Sequence, residues 1–482
     1  MTSHRHAWGT CYASSWGFPV AYVVSITAPF AFLSKGAFLL DKKMGKKIRK
    51  YTFIDLFAGA GGLSEGFIRA GFEPIAHIEM KKEACDTLRT RAAFHYLKSK
   101  NRFDVYKEYL FQKQEKEDGS KLWNQVPKEV IDTVIQSEIG EKTIADIFEK
   151  LDQLIGERKL DLIIGGPPCQ AYSVAGRARK GEAMENDPRN ELYKFYVQFL
   201  HRYKPKMFVF ENVLGIRTAK GGEPFRDLQK RVRELDNCNY EIEAHEQIAS
   251  EFGVLQRRHR MIIIGWRKTD NGKPTKYAHY PNLDEFKINN QFQTLRDLFS
   301  DLPTRIAGDG KLCECVRYTK PISDMTYLQE YGLRNNDFDF TTQHISRPNN
   351  LNDREIYCWA IKKFLNEGKQ LSYSKDVPPD HQKHKNKETF DNRFSVVNPY
   401  GVSHTVVAHI AMDGHYYIYP TLKPTIDNVR SITIREAARL QSFPDDYYFE
   451  GSRSAAFMQI GNAVPVIMAQ KIAEAILKQL TQ

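Results

Sequence analysis

One cysteine of this chain directly follows a segment that is unusually rich in glycine and proline. In GGPPCQAYS (165–173), Cys169 follows two glycines, which permit tight chain passage, and two prolines, which stiffen it. The apolar run LDLII (160–164) before it predicts a buried strand, and parallel strands deliver the chain to the sheet edge where ligands bind. A lone cysteine is more often a buried core residue, but a thiol held at such an edge is typical of a nucleophile.

A polar and basic loop follows the cysteine. In QAYSVAGRARKG (170–181), three cations stand within four residues: Arg177, Arg179 and Lys180. Cations at this density beside a cleft are suited to phosphate groups. The loop therefore predicts an anionic ligand close to the thiol.

Two further motifs place charged side chains at strand ends. ENV (211–213) ends an apolar strand, so Glu211 is expected at the cleft rim, where a poorly solvated carboxyl group can donate or share a proton. In QRRHR (256–260), strand alternation puts Arg258 and Arg260 on one face, which suits an anionic or carbonyl-bearing ligand. Spacing alone leaves two alternatives open: a capping or ion-paired acid, and a solvated arginine surface.

A glycine-rich loop lies between a predicted strand and a predicted helix. In DLFAGAGG (55–62), glycines let the backbone approach a ligand closely, and the helix that follows offers free N–H groups. Glu79 ends the next strand, 20 residues after Gly59, where an acid binds ribose hydroxyls. Ser64 occupies the third glycine position of GxGxxG, and no Walker lysine follows. The pattern favours an adenosine ligand without phosphates.

Strands and helices alternate from about 51 to 266. Strands are predicted at 51–57, 74–79, 160–164, 206–211, 239–249 and 261–266, with helices between them. This alternation predicts a doubly wound, mostly parallel α/β sheet in a catalytic domain over 44–266. The charged segment 98–145 resembles an insertion more than a core element. Residues 267–429 are near neutral and predict a smaller, irregular second domain, followed by C-terminal motifs over 430–482, of which 459–482 return to the catalytic domain.

Composition narrows the class of protein. The 482 residues include 27% charged residues, the net charge is +11 and the mean hydropathy is −0.52, which favours a soluble protein with an anionic partner such as nucleic acid. Seven cysteines without a CxxC pair indicate a reducing, cytoplasmic location. The CEC at 313–315 is a weak zinc signal, and we interpret both cysteines as free thiols.

The N-terminal residues 1–43 differ from the rest of the chain. Their apolar run, 18–40, is broken by Pro29 and Lys35 and fits poorly as a signal peptide or a membrane span. Met44 opens MGKKIRKYTFIDLF just before the first predicted strand. We therefore interpret 1–43 as an extension outside the domains, upstream of a true start at Met44.

Together, and in this order, the motifs resemble those of the bacterial DNA methyltransferases that modify carbon 5 of cytosine. FIDLFAGAGGLSEGF (53–67) resembles that family's cofactor loop, GGPPCQAYS its nucleophile motif, ENV its catalytic-acid motif and QRRHR its QxRxR motif. RSITIREAARLQSFPDDY (430–447) resembles the motif that supports the target-recognition domain, and QIGNAVPV (459–466) resembles the last cofactor motif. The resemblance extends from about 53 to 480.

The resemblance implies a role for each matching residue. Cys169 would be the nucleophile, Glu211 would engage the cytosine ring, and Arg258 and Arg260 would steady the base and the catalytic loop. The S-adenosylmethionine site would be lined by Phe57, Gly59, Gly61, Glu79, Met80, Pro168, Asn462 and Val464. The DNA contacts would come from Gln170, Ser173, Arg177, Arg179 and Lys180.

Two details of the cofactor site depart from the family pattern or stay open. Met80 stands where the family often has an aromatic ring against the adenine. An acid that reads the adenine amine follows the third strand in the family, and either Glu138 or Asp146 could serve here. The segment 98–145 is also longer than the family minimum.

The implied fold is Rossmann-like, with 267–429 as the target-recognition domain. The implied enzyme is a cytoplasmic monomer that flips cytosine out of duplex DNA, uses no metal, binds no membrane and has a cognate restriction endonuclease as a functional partner. A tRNA cytosine methyltransferase of the same fold and a catalytically silent DNA-binding protein are the alternatives. A recognition region of roughly 160 residues favours DNA over tRNA, and the intact Cys169 and Glu211 argue against the silent protein.

Overall fold

The computed structural model describes most of the chain from Arg49 onward. The described residues are 49–115, 120–168, 191–234, 240–270, 273–288, 291–384, 386 and 390–482. The predictions for 1–43 and Met44 lie outside this range. So do the predictions for Cys169 and for the five DNA-contact residues, which are Gln170, Ser173, Arg177, Arg179 and Lys180.

Within the described residues, seven strands form one sheet. The strands are β1 (Thr52–Leu56), β2 (Glu73–Glu79), β3 (Val134–Gln136), β4 (Leu162–Gly165), β5 (Met207–Asn212), β6 (Tyr240–Ile248) and β7 (His259–Arg267). Their order is β3-β2-β1-β4-β5-β7-β6. β7 is antiparallel to both of its neighbours, and the other pairings are parallel. The predicted mostly parallel α/β sheet is confirmed.

Both faces of this sheet are buried because successive side chains of a strand point to opposite faces. Phe53 of β1 and Ile164 of β4 lie in one core, whereas their neighbours Ile54 and Ile163 lie in the other. The central strands therefore have nearly continuous apolar sequences. That continuity made them recognisable in the sequence.

The helices cover the two faces and connect the strands. They are α1 (Gly62–Arg69), α2 (Lys82–Ser99), α3 (Phe103–Glu115), α4 (Ser120–Trp123), α5 (Lys128–Ile131), α6 (Ile144–Ile155), α7 (Leu192–Tyr203), α8 (Glu223–Arg233), α9 (Thr326–Glu330), α10 (Leu351–Glu367), α11 (Tyr373–Asp376), α12 (Ile434–Leu440), α13 (Arg453–Asn462) and α14 (Val466–Thr481). Helices α1 and α14 contribute to one core, and α6, α7 and α8 contribute to the other. The last helix thus packs beside the first.

The segment 98–145 is more than an insertion. Its last part contains β3, which pairs in parallel with β2 through His77 and Val134, so the prediction of no core element is wrong there. A strand of three residues is too short for its periodicity to be visible in the sequence. The helical part, α3 to α5, packs with Phe338 and Phe340 in a separate cluster.

The region from 268 to 429 has short elements and a small core of its own. Its strands are β8 (Thr269–Asp270), β9 (Lys273–Pro274), β10 (Val316–Arg317) and β11 (Phe340–Thr341), in two two-stranded sheets. Its core includes Tyr357 of α10 together with Phe394 and Ile418. The irregular texture of the sequence corresponds to this structure, although helix α10, with 17 residues, was not predicted.

A buried ion-pair network joins this region to the C-terminal motifs. Helix α12 begins with a capping box between Thr433 and Glu436. Arg439 of α12 is fully buried and contacts Asp301 at 2.6 Å and Asp445 at 2.5 Å. Buried charges remain in a protein core only when they are paired and hydrogen-bonded. The network therefore fixes α12 against the chain around Asp301.

One stretch of the described chain, Arg453–Thr481, is long and apolar enough to cross a membrane by length and composition. Of its apolar window, 72% is buried inside the protein. A core helix of a soluble protein passes the same test. The stretch is α13 and α14, which pack within the main core.

Candidate active site

The carboxyl ends of four parallel strands meet at one edge of the sheet. Leu56, the last residue of β1, pairs with Gly165, the last residue of β4. A Cβ on Gly165 would lie 2.4 Å from the carbonyl oxygen of Leu56, so only glycine fits at this close approach. Gly165 pairs on its other side with Phe210, one residue before Glu211. The glycine loop, the GGPP segment and ENV therefore share this edge.

The glycine loop depends on left-handed backbone. Gly59 has φ +56° and Gly61 has φ +77°, and Phe57, which is not glycine, has φ 59°. A Cβ on Gly61 would lie 2.8 Å from Cδ2 of Leu88, so a larger residue here would displace that side chain. A non-glycine residue in this conformation, such as Phe57, is uncommon and costs free energy, and such residues cluster at ligand sites.

Glu79 is placed against the loop by two hydrogen bonds. The backbone N–H of Gly59 donates to its Oε2 at 2.9 Å, and the N–H of Lys81 donates to its Oε1 at 2.8 Å. A carboxylate has about four acceptor positions, so each oxygen keeps one free for a ligand hydroxyl group. The geometry fits the ribose-binding role that the sequence implied for Glu79.

Of the other implied cofactor residues, Val464 contacts the start of helix α1. A Cβ on Gly62 would lie 2.4 Å from the carbonyl oxygen of Val464, which places Val464 directly against the helix α1 N-terminus. Met80 is 46% exposed, and Asn462 and Pro168 are also exposed. Exposed and apolar surface at this position is available to a planar base.

Of the two acids considered for the adenine amine, Glu138 follows a residue that is hydrogen-bonded to the backbone of Glu79. The N–H of Ser137 donates to the carbonyl oxygen of Glu79 at 2.9 Å. Glu138 is the next residue and its side chain is exposed. Asp146 is also exposed, in the first turn of α6.

Glu211 lies at the same edge of the sheet, between two contacts. Its Oε1 forms an ion pair with Nε of Arg260 at 2.6 Å, and both side chains are mostly buried. A Cβ on Gly166 would lie 2.8 Å from Oε2, so the carboxylate rests against the backbone of the GGPP segment. Next to it, Nδ2 of Asn212 donates to the carbonyl oxygen of Pro167 at 3.4 Å. ENV therefore contacts the segment that leads to Cys169.

Arg258 and Arg260 have different partners. Arg258 is fully buried; its Nη1 donates to the carbonyl oxygen of Val406 at 2.6 Å and its Nη2 donates to that of Gly461 at 3.2 Å. Its guanidinium group therefore holds two chain segments together, while Arg260 contacts the acid. We interpret Arg258 as a positioning residue.

Gln256, the first residue of QRRHR, was given no role in the sequence. Its Nε2 donates to the carbonyl oxygen of Leu440 at 2.9 Å, and its Oε1 accepts from the N–H of Val406 at 2.8 Å. It is fully buried and joins α12 to the segment that Arg258 holds. The signal for Gln256 in the sequence was its position as the first residue of the QRRHR motif.

Asp55 and Ser64 form a further buried pair beneath the glycine loop. The hydroxyl group of Ser64 donates to Oδ2 of Asp55, and both side chains are almost completely buried. Burial raises the pKa of Asp55 to about 8, against the lowering effect of the Ser64 hydrogen bond and with a raising effect of Glu79. Both residues lie within the quoted loop motif, yet no charge pattern in the sequence revealed their contact.

Across the part of the chain that the structure describes, no three His, Cys, Asp or Glu residues are arranged to hold a metal ion. The described cysteines, Cys85, Cys313, Cys315 and Cys358, form no disulfide.

Comparison with known proteins identifies the family. The family described as C-5 cytosine-specific DNA methylase matches residues 51–118 and 119–478. The type II methyltransferase M.Bpa9945I of Bacillus paralicheniformis is 37% identical over 452 residues, covering 88% of this chain and 98% of that protein. The type II methyltransferase M.DdeI of Desulfomicrobium norvegicum is 30% identical over 437 residues, covering 88% of each.

A solved structure supports the fold. A prophage-encoded protein of E. coli, solved as a candidate DNA modification methyltransferase, superimposes with a TM-score of 0.57 at 22% identity, covering 90% of this chain and 100% of that one. The family match spans nearly all of the described residues, from the glycine loop to helix α14. The chain therefore belongs to the C-5 cytosine-specific DNA methylase family and is a DNA (cytosine-5-)-methyltransferase.

Proposed function

We propose that this enzyme transfers a methyl group from S-adenosylmethionine to carbon 5 of a cytosine within a specific sequence of duplex DNA. The reaction would proceed through a covalent bond between Cys169 and carbon 6 of the flipped base. The observation that carries the proposal is the position of Glu211, held between Arg260 and the backbone of Gly166, three residues before Cys169. This position puts Glu211 beside the segment that leads to Cys169, which supports a joint action of the two residues on one ring.

Covalent addition makes an unreactive carbon nucleophilic. Attack of the thiolate at carbon 6 forms a sulfur–carbon bond and moves the electron pair to carbon 5, which then takes the methyl group. Loss of the proton from carbon 5 and departure of the sulfur restore the ring and the free thiolate. The thiolate requires a lowered pKa, which neighbouring positive charge would supply.

Glu211 would act on the ring nitrogen 3 and the exocyclic amine of the cytosine. Its ion pair with Arg260 fixes one oxygen, and the contact with Gly166 fixes the direction of the other. A carboxyl group in such a geometry holds or shares a proton with the ring as charge develops there. Arg260 is thus placed to orient Glu211.

The cofactor site fits an adenosine ligand that carries no phosphate. The left-handed loop offers backbone N–H groups, Glu79 has free acceptor positions for ribose hydroxyls, and Met80 provides exposed apolar surface. When bound there, S-adenosylmethionine supplies an electrophilic methyl group. We propose that Glu138, rather than Asp146, receives the adenine amine, because the neighbouring Ser137 is bonded to the backbone of Glu79.

The DNA would lie between the cleft and the region 267–429. A stacked cytosine cannot reach the sheet edge, so the base must leave the helix, which costs a few kcal/mol. We propose that the cations Arg177, Arg179 and Lys180, with Gln170 and Ser173, contact the DNA, as the motif resemblance implies. The domain boundaries predicted from the sequence, with 267–429 reading the target, belong to the same proposal.

The cellular setting follows from the type II relatives. We propose that the enzyme works as a cytoplasmic monomer in a restriction–modification system, protecting DNA from a cognate endonuclease. The restriction–modification setting is supported by the relatives, which are type II methyltransferases. Methyl-sensitive sequencing of a host that expresses the chain would reveal the target sequence.

Transfer of a labelled methyl group to a DNA library that contains the target tests the proposal. The Cys169→Ala variant should lose methyl transfer and still bind DNA, and Glu211→Gln should lose about 100-fold or more of the rate. The matched control is Cys315→Ala, because Cys315 is a half-buried free thiol at the contact with α3. Undiminished turnover by Cys169→Ala would overturn the covalent mechanism.

The nucleic-acid substrate needs its own measurement. Duplex DNA and bulk tRNA are offered in parallel at equal nucleotide concentration. Label in DNA alone is expected, because the recognition region is large enough to read a duplex sequence. Label in tRNA alone would support the alternative enzyme of the same fold.

A further inference from the structure

Asp55 is a buried acid that the mechanism above does not use. It lies on β1, two residues before Phe57, at the base of the glycine loop. It is 1% exposed, and its side chain accepts a hydrogen bond from Ser64 in the first turn of α1. Among the described residues, no arginine or lysine is paired with it. A carboxyl group in this setting has no cation to stabilise its charged form.

The groups that face Asp55 make it a neutral acid in the cofactor-free protein. Ser64 of α1 donates a hydrogen bond to Asp55, and His77 of β2 is its neighbour across the sheet. Glu79 of β2, Tyr196 of α7 and Tyr447 interact with it electrostatically. Glu65 is the residue after Ser64 in α1. Burial raises the pKa of Asp55 to about 8 and lowers the pKa of His77 to about 4, so both are largely uncharged near pH 7.

The remaining charges near Asp55 are already balanced or negative. Glu65 is paired with Arg91 at 2.6 Å and lies farther along α1. Glu79 lies at the loop itself, where its carboxylate accepts a hydrogen bond from the N–H of Gly59. Glu79 disfavours the ionised form of Asp55. A positive charge bound at this loop would favour that ionised form.

We propose that Asp55 is a charge-sensing residue of the cofactor site, which loses its proton when the sulfonium form of the cofactor binds and regains it when the neutral thioether product remains. The proton passes to solvent on binding of the donor and returns after methyl transfer. Asp55 thereby favours the charged donor over its uncharged product. The inference rests on the proposed S-adenosylmethionine site.

The position of Asp55 beneath the glycine loop supports an electrostatic effect of a bound cation. The sulfur of the cofactor is attached to the ribose, and the ribose is the part that Glu79 would hold. Asp55 interacts electrostatically with Glu79 and lies under the loop that Glu79 contacts. Charges separated by several ångströms in a poorly solvated site interact strongly enough to move a protonation equilibrium by one pH unit or more.

Isothermal titration calorimetry of the whole chain, without DNA, measures this proton. Binding of S-adenosylmethionine and of S-adenosylhomocysteine is recorded at pH 7 in buffers with different ionisation enthalpies, which gives the number of protons released. We expect wild-type protein to release a large fraction of one proton more than Asp55→Asn with the donor. The two proteins should be indistinguishable with the product.

The affinity ratio of donor to product provides a second readout. In wild type it should rise up to about tenfold between pH 6.5 and 8 and level off above pH 8. In Asp55→Asn the same ratio should lack this rise; the ligand's own amine titrates in both proteins and cancels in the comparison. Asp152→Asn, on the exposed face of α6, is the control for an unrelated Asp-to-Asn change.

Ser64→Ala provides a second variant in case Asp55→Asn does not fold. Removing the hydroxyl group removes a hydrogen bond that favours charged Asp55, so the rise in the affinity ratio should move to higher pH. Equal proton release by wild type and Asp55→Asn, with both ligands bound, would overturn the inference. Failure of both ligands to bind wild type would instead refute the proposed cofactor site.

Discussion

Glu211 and Gly166 touch across neighbouring strands, and this contact determines where the acid points. The approach is possible because Gly166 has no Cβ, which would lie 2.8 Å from Oε2. The obstructing atom is the end of a side chain, so the backbone itself would need little change. A substitution at Gly166 is therefore expected to change catalysis without changing the stability of the fold.

Gly166→Ala should lower the rate of methyl transfer by about 10-fold or more while leaving the melting temperature nearly unchanged. The added methyl group displaces the Glu211 carboxylate, and displacement of a positioned group by about 1 Å costs on the order of 100-fold in rate. Single-turnover methylation and thermal unfolding are measured on the same preparation. Gly140→Ala is the matched control, because a Cβ there meets no atom within 4 Å. Unchanged single-turnover kinetics would contradict the assigned position of Glu211.

Between elements, helix α1 is fixed by α14. The contact is close because a Cβ on Gly66 would lie 2.4 Å from that of Ala469 and 2.5 Å from the backbone nitrogen of Gln470. This packing holds the helix that begins at the cofactor loop. Its stability therefore bears on cofactor binding.

Gly66→Ala should destabilise the fold by about 1–3 kcal/mol, because the two helices must move apart to accept the methyl group. Chemical denaturation measures the free energy of unfolding. The affinity for S-adenosylhomocysteine should fall as well, since the loop shifts with α1. A variant as stable as wild type would show that the helices are not in the described contact.

His344 connects the region 268–429 to α12. Its Nδ1 lies 3.0 Å from Oγ1 of Thr433 and its Nε2 lies 2.8 Å from the carbonyl oxygen of Pro303. Burial lowers the pKa of His344 from 6.5 to about 4. The unfolded chain therefore binds a proton that the folded chain refuses between these two pH values.

The contribution of His344 to stability should be complete above pH 6.5 and be lost as the pH falls through about 4. The loss amounts to at most about 3 kcal/mol at pH 4. Urea unfolding at a series of pH values should show a shallower acid decline for His344→Gln than for wild type. His201→Gln, an exposed histidine on α7, should keep the wild-type slope. Parallel curves for wild type and His344→Gln would contradict this.

The sequence predicted those elements whose burial is continuous. Strands such as β4 and β5 are apolar on both faces, so their positions and the parallel fold were recoverable. The motif residues Glu79 and Glu211 were recoverable because strand ends are marked by polar residues. Strand β3 and helix α13 were not, since three residues show no period and α13 has no strong apolar stripe. The Asp55–Ser64 pair depends on a tertiary contact that no spacing encodes.

At the scale of the whole molecule, the net charge and its distribution along the chain would determine how the enzyme associates with DNA. The chain carries +11, while the region 267–429 is near neutral. The excess of positive charge therefore belongs mainly to the rest of the chain. Long-range attraction would draw DNA to the enzyme, and the neutral region would read it.

DNA affinity should fall about 10-fold or more between 50 and 200 mM salt, because cations that neutralise phosphates release counterions. The affinity for S-adenosylhomocysteine, an uncharged sulfur ligand in a backbone-lined site, should change little over the same range. Fluorescence anisotropy with labelled duplex and calorimetry with the ligand make the comparison. A flat salt dependence for DNA would contradict phosphate contact.

The central claim is that Cys169 bonds to a cytosine ring that Glu211 holds. The most direct measurement uses duplex DNA in which the target cytosine is replaced by 5-fluorocytosine, with S-adenosylmethionine present. Fluorine cannot leave as the proton does, so the covalent complex should accumulate, and peptide mass spectrometry should locate the adduct at Cys169. Absence of any adduct under conditions where ordinary target DNA is methylated, or an adduct at another cysteine, would contradict the account.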